Sequence, residues 1–275
     1  MKKVWVLPTL LTVANGFFGF LAIAKCIDAM RLGAGRSAEF ADKMEYACFC
    51  VILSLICDSL DGWVARRLKT STEFGAQLDS LCDGVTFGIV PGILFKTFIE
   101  YELGEPPVML ARYYLAAGVC FALCALLRLA RFNVENSKGH EDHKAFRGLP
   151  SPGAAIVVIA AILFYYDERW VSLPWLRDIA PGVKAGLLGV MPFMMFALGA
   201  LMVSRIAYPH FASALLTRKL TVARVAQIVV FIALFALEPR LIMFIGSVLF
   251  GFYGPVLSII KRIRGRVIPM KPPQL

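Results

Sequence analysis

Apolar residues gather into eight runs, at positions 7–27, 45–66, 74–98, 110–131, 152–168, 185–206, 222–237 and 240–260, parted by shorter polar stretches. A helix needs about 20 apolar residues to cross a hydrocarbon core, and most of these runs approach that length. The fifth and seventh are shorter. The pattern predicts an all-α polytopic membrane protein of about eight transmembrane helices, forming one membrane domain without internal repeats. The first run follows MKK as a secretory leader would. Pro8, Asn15, Gly16 and Gly19 interrupt it, however, and no small-residue cleavage site follows, so it reads as a retained helix.

Composition agrees with this reading. Hydrophobic residues make up 59% of the 275 positions and charged residues 17%, and the mean hydropathy is +0.71, which excludes an ordinary soluble domain. The formal net charge of +10 is spread between apolar runs rather than gathered in one patch, so it indicates topogenic lysine and arginine and no nucleic-acid partner. With the N-terminus inside, 19 of the 29 basic residues fall on one side but fewer than half of the acidic ones, while the acidic loop EYELGEPP at 100–107 falls on the other. The positive-inside rule then puts both termini, and the link between the second and third runs, in the cytoplasm. Arg31, Arg36 and Lys43, on the outer side, fit this least well. All seven cysteines lie in or beside apolar runs without paired CxxC spacing, which predicts reduced, packed thiols.

One stretch departs from the apolar pattern. CDSLDGWVARRLKTSTEFGAQLDSLCDG, residues 57–84, carries Asp58, Asp61, Asp79 and Asp83 at the ends of two membrane runs. A charge near the centre of a spanning helix costs roughly 2.5–3.5 kcal/mol even on lenient insertion scales, so such residues mark function by default. Asp58 and Asp61 are three apart, Asp79 and Asp83 four apart, so each pair shares one helix face, and two antiparallel neighbours can bring all four together. Unit charges about 4 Å apart repel by roughly 4 kcal/mol at an effective dielectric of 20, so four ionised carboxylates need cations. Carboxylate oxygen suits magnesium, manganese or calcium, and four such groups suit two ions better than one. Gly62 and Ala65 on one helix and Gly75 on the other leave backbone bare for a phosphorylated group, Arg66 adds a cation, and TSTE at 70–73 predicts a capping box with Thr70 as N-cap. A lone intramembrane aspartate could be a proton relay or a helix-pairing group, and a cation transporter is the alternative from another class. A transport path needs polar groups through the bilayer depth, whereas these aspartates lie toward one face.

The pattern DxxDGxxAR, eight residues, then GxxxDxxxD is met by Asp58, Asp61, Gly62, Ala65, Arg66, Gly75, Asp79 and Asp83. It resembles the signature of the CDP-alcohol phosphatidyltransferases. The resemblance implies a six-helix membrane core over 1–206, usually homodimeric, followed by two additional helices over 207–260 and a basic cytoplasmic tail over 261–275. It implies two divalent ions, Mg2+ or Mn2+, held by Asp58, Asp61, Asp79 and Asp83, with Gly62, Ala65, Arg66 and Gly75 around the CDP-lipid. Asp83 would deprotonate the acceptor alcohol, which attacks phosphorus as CMP leaves.

Three further stretches, LPTLLTVANGFFGFLAI at 7–23, RLARFNV at 128–134 and FRGLPSPGAA at 146–155, resemble the phosphatidylserine synthase branch, apart from Thr9 where that branch usually has Asn. This implies phospholipid biosynthesis from CDP-diacylglycerol and L-serine in the inner membrane of a bacterial cell, among membrane lipids. Sister enzymes using glycerol 3-phosphate, inositol phosphate or choline are the alternative. Asn15, Arg128, Arg131, Asn133, Arg147, Gly148 and Pro150 become candidates for a serine or phosphate pocket. Each also has a plainer reading: arginine at a helix end is topogenic, GLPSP starts a helix, and Asn15 bonds a neighbouring helix. His140 and His143 have metal-like spacing in a charged turn without partnering residues, and His210 is isolated, so none is taken as a ligand. KRIRGR, in the tail, suits attraction to anionic headgroups.

Overall fold

The computed structural model describes residues 6–32, 35–68, 72–104, 106–137, 146–172, 177–208 and 233–263. They are almost entirely helical. Helix α1 (Val6–Met30) and α2 (Ser37–Leu68) form an antiparallel pair, and Gly35, two residues before α2, has positive φ. Helix α3 (Glu73–Asp83) runs through a π-helical segment, Gly84–Ile89, into α4 (Val90–Leu103). Pro91, which has no N–H to give, sits in the first turn of α4, where the loss matters least, just after the widened π turns. Then come α5 (Val108–Ser137), α6 (Ser151–Tyr165), the single turn α7 (Arg169–Ser172), α8 (Ala180–Val203) and α9 (Pro239–Ile263).

Six spans among the described residues are long and apolar enough to cross a membrane: α1, α2 to Ala65, α3 through α4, α5 to Glu135, α8 and α9 to Leu257. The fifth predicted run is a helix of only 15 residues, α6, about 22 Å long. Its length follows from its surroundings. Helix α6 is apolar all round and buried along nearly every residue, packed by α2, α4, α8 and α9, so it meets protein rather than lipid. Irregular backbone can complete it at both ends because that backbone is itself covered. The seventh run, 222–237, lies outside the described residues except for 233–237, which are helical. Helix α5 also continues beyond the predicted end at 131, to Ser137.

At one end of α6, Phe146–Arg147 (β1) pairs antiparallel with Ala207–Tyr208 (β2), a clip between the approach to α6 and the exit from α8. Gly148 has φ 86°, and a Cβ there would overlap the Met202 carbonyl, so only glycine makes this turn. Gly148 N–H donates to Ile206 O at 2.8 Å and Leu149 N–H to Leu201 O at 3.0 Å. Helices α4 and α5 touch at Gly92 and Gly118, where a Cβ on either would lie 2.7 or 2.9 Å from the other's carbonyl oxygen. Helix α9 lies along α6, with Phe244 stacked on Phe164 and the Tyr208 hydroxyl donating to Gly251 O.

The opposite end of the bundle is closed by paired polar groups. Arg240 grips Glu45 with both terminal nitrogens, at 2.7 and 2.8 Å, and donates to Tyr166 O. The hydroxyls of Tyr165 and Tyr166 both donate to Glu102, at 2.6 and 2.5 Å, and Arg169 bonds Asp167 and Glu238. Phe40 stacks on Tyr101 beneath them. All seven cysteines are free thiols, buried or half-buried, as their apolar settings predict.

Candidate functional site

The C-terminal half of α2 and the first three turns of α3 carry the four aspartates. Helix α3 opens at Glu73, and its N-cap is Thr72, with extended backbone (φ −119°, ψ 152°) and a hydroxyl accepting from Gly75 N–H at 3.0 Å. The cap is therefore two residues later than the predicted Thr70, which lies outside the described residues. Thr72 has the threonine oxygen three positions before a free helix N–H, and Glu73 becomes the first helical residue, where its charge complements the dipole.

The structure brings Asp58, Asp61 and Asp79 together: one carboxylate oxygen from each lies within 4.8 Å of the others. Asp61 is 5% exposed, and Asp58 and Asp79 are half-buried. Asp79 Oδ1 is buried and has no hydrogen-bond partner, an arrangement rare in folded proteins unless something else supplies the partner. Three convergent hard oxygens, on carboxylates of which Asp79 keeps one oxygen unpartnered, fit a divalent cation. Asp83, one turn beyond Asp79, is outside this triplet and accepts from Asn15 Nδ2 at 2.9 Å.

Two of the site's partners come from α1. Thr12 Oγ1 donates to Asp61 Oδ2 at 2.8 Å, a bond that the sequence did not reveal, and Asn15 bonds Asp83 on a neighbouring helix. One signal was present: Thr12 and Asn15 are three apart in an apolar run, hence on one helix face, and both are buried. The backbone carbonyl of Asn15 also accepts from Ser54 on α2 (2.9 Å) and Thr86 in the π segment (3.3 Å). A Cβ at Gly19 would overlap the Thr86 hydroxyl, so the contact depends on glycine.

Gly62 and Ala65 are half-buried on α2, and the Arg66 side chain lies outside the described residues. The candidate pocket residues divide. Arg128 is half-buried: Nη1 donates to Ser151 at the head of α6 at 3.1 Å, and its Nε is buried without a partner. Asn133 instead exchanges hydrogen bonds with Ser80, at 2.9 and 3.1 Å, tying α5 to α3. Arg131 pairs with Glu135 along its own helix at 2.9 Å. Gly148 and Pro150 belong to the clip before α6, where Pro150 is the N-cap, and Arg147 is placed there only by its backbone pairing with Ala207. His140, His143 and His210 lie outside the described residues.

Residues 5–190 match the sequence pattern of a family described as CDP-alcohol phosphatidyltransferase. The chain is 30% identical over 256 residues to a CDP-diacylglycerol–serine O-phosphatidyltransferase of Helicobacter pylori strain 26695, covering 92% of this chain and 91% of that one. The corresponding protein of strain J99 is 28% identical over 264 residues, 96% and 95% of the two chains. An archaetidylserine synthase of Methanothermobacter thermautotrophicus is 32% identical over 209 residues, 74% and 70% of the two chains.

Proposed function

The chain belongs to the CDP-alcohol phosphatidyltransferase family, and from that premise we propose that it makes phosphatidylserine and CMP from CDP-diacylglycerol and L-serine. The observation that carries the chemistry is the convergence of the Asp58, Asp61 and Asp79 carboxylates, with one buried Asp79 oxygen left without a partner. These residues, with Asp83 alongside, would hold magnesium or manganese ions, which when bound neutralise the diphosphate and polarise its phosphorus. Gly62, Ala65 and Gly75 leave room for the nucleotide diphosphate, and Arg66 is the cation that the resemblance assigns to it. Asp83, outside the triplet and held by Asn15, takes the proton of the serine hydroxyl. The serine oxygen forms the new bond to the phosphorus bearing the diacylglycerol, the bond from that phosphorus to the CMP oxygen breaks, and CMP departs. Arg128 is the pocket cation best placed to meet the serine carboxylate, being half-buried at the head of α6 and only partly satisfied.

The named site residues all lie between α1 and the head of α6, which supports a catalytic core within 1–206 and an accessory role for 207–260. Charge asymmetry supports an aspartate end facing the cytoplasm of a bacterial inner membrane, where CMP is released, and we take the working unit to be a homodimer. Purified protein given CDP-diacylglycerol and a panel of alcohols should release CMP with L-serine, stop in EDTA and resume with magnesium or manganese. Release with glycerol 3-phosphate but not serine overturns the choice of alcohol, and full activity in EDTA after exhaustive dialysis overturns the metal reading. A cysteine introduced by Ser71→Cys in a cysteine-free background should react with an impermeant thiol reagent only in inside-out vesicles. Reaction only in right-side-out vesicles reverses the orientation.

A further inference from the structure

Helix α1 contributes no carboxylate to the site, yet its side chains donate hydrogen bonds to two of the aspartates. We propose that α1 is the positioning helix of the site: Thr12 sets the orientation of the Asp61 carboxylate for cation binding, and Asn15 sets that of Asp83 for accepting the proton. This rests on the phosphatidyltransferase reading above.

The geometry is specific. Thr12 Oγ1 has two acceptors in reach, the Pro8 carbonyl at 3.1 Å and Asp61 Oδ2 at 2.8 Å, and one proton to give. The ionised carboxylate is both nearer and the stronger acceptor, so it accepts the hydrogen bond. The bond is buried, with Thr12 and Asp61 4% and 5% exposed, so water does not replace it readily. One oxygen of Asp61 is thereby occupied and the plane of the carboxylate is fixed. At Asn15 the direction is forced as well, because a carboxylate only accepts and the amide nitrogen must face Asp83.

The helix itself is fixed at the same residue. Ser54, whose hydroxyl holds the Asn15 carbonyl, is one turn before Asp58 on α2, and Thr86, which holds it from the other side, is three residues past Asp83. Asn15 therefore registers α1 against both aspartate-bearing helices at the depth where its side chain acts. Gly16 lets Cys82 approach, a Cβ there lying 2.9 Å from its Sγ, and Cys82 is the residue before Asp83. Partners of this kind around a metal site change metal affinity or activity by about 10–100-fold when removed.

The test uses full-length protein in detergent and measures Mn2+ binding by electron paramagnetic resonance, without substrate, alongside steady-state kinetics. Thr12→Val, which keeps the shape and removes the hydroxyl, should weaken Mn2+ binding by about 10-fold or more, and Thr12→Ser should restore it. Asn15→Leu should lower kcat by a similar factor while leaving Mn2+ affinity and the KM for CDP-diacylglycerol near those of the unaltered chain. Thr12→Ser serves as the folding control, since it keeps the bond at the same position. Unchanged Mn2+ binding in Thr12→Val, or equal loss in Val and Ser variants, overturns the role of Thr12. A raised KM with unchanged kcat in Asn15→Leu overturns that of Asn15. If the unaltered chain binds no Mn2+ at all, it is the metal reading that fails, and the positioning role falls with it.

Discussion

The two ends of the helix bundle both gather charged and polar residues, and they handle them in opposite ways. Glu45 and Asp61 lie on the same helix, about 24 Å apart along its axis. At the Glu45 end, acids meet donors that saturate them: two nitrogens of Arg240 on Glu45, two tyrosine hydroxyls on Glu102, Arg169 on Asp167 and Glu238. At the Asp61 end, three carboxylates converge on one another, and one buried oxygen of Asp79 has no partner. A saturated network holds helices in place, whereas an unsaturated one keeps binding capacity at a cost in stability. The difference separates structure from chemistry within a single bundle.

The comparison breaks most sharply if charge is removed at the aspartate end. Asp79→Asn should lose all measurable CMP release while leaving the thermal unfolding temperature in detergent unchanged or raised, because one like charge leaves the cluster. A destabilised protein with residual turnover would make Asp79 a structural residue. Asp83→Asn should fall by about 10²–10⁴-fold in kcat, the usual scale for losing a general base, with CDP-lipid binding largely kept. Loss of nucleotide-lipid binding instead would make Asp83 chiefly a metal ligand.

The opposite end should show the reverse. Arg240→Ala leaves Glu45 half-buried without its fork and should cost about 1–3 kcal/mol of stability by thermal or denaturant unfolding, with activity per folded molecule preserved. Exchanging the pair, Glu45→Arg with Arg240→Glu, should recover part of that loss. The smallest effect is reserved for Tyr166→Phe, which removes one of two hydroxyls from Glu102 and should cost about 1 kcal/mol without changing turnover. A large fall in activity from either change would mean that the two ends are coupled.

Much of the architecture was legible because it is local. Long apolar runs mark spanning helices, and α1 to α5, α8 and α9 follow them, with ends shifted by up to eight residues at the start of α2, where polar residues from Ser37 continue the helix beyond the apolar run. The aspartate spacings were legible for the same reason, since positions three and four apart share a helix face whatever surrounds them. Helix α6 was legible as a short run, the helix beginning one residue before the run and ending three before its end, but only the packing shows that it is surrounded by protein and so is not held to bilayer thickness. The cap of α3 was misplaced within TSTE, where two threonines compete and only backbone dihedrals choose between them.

What the chain determines alone is therefore its class, its helices and the four carboxylates set out in two pairs. Tertiary structure decided which of them converge: that Asp58, Asp61 and Asp79 form a triplet and Asp83 stands outside it, that Thr12 reaches across 49 positions to Asp61 and Asn15 across 68 to Asp83, and that Asn133 is spent on Ser80. The physical reason is that a helix pattern states which residues share a face but not how far that helix is rotated or slid against its neighbours. Rotation and depth come from side-chain and backbone contacts, here the hydroxyls that grip the Asn15 carbonyl and the glycines that let α1 approach, and those contacts exist only once the helices are packed.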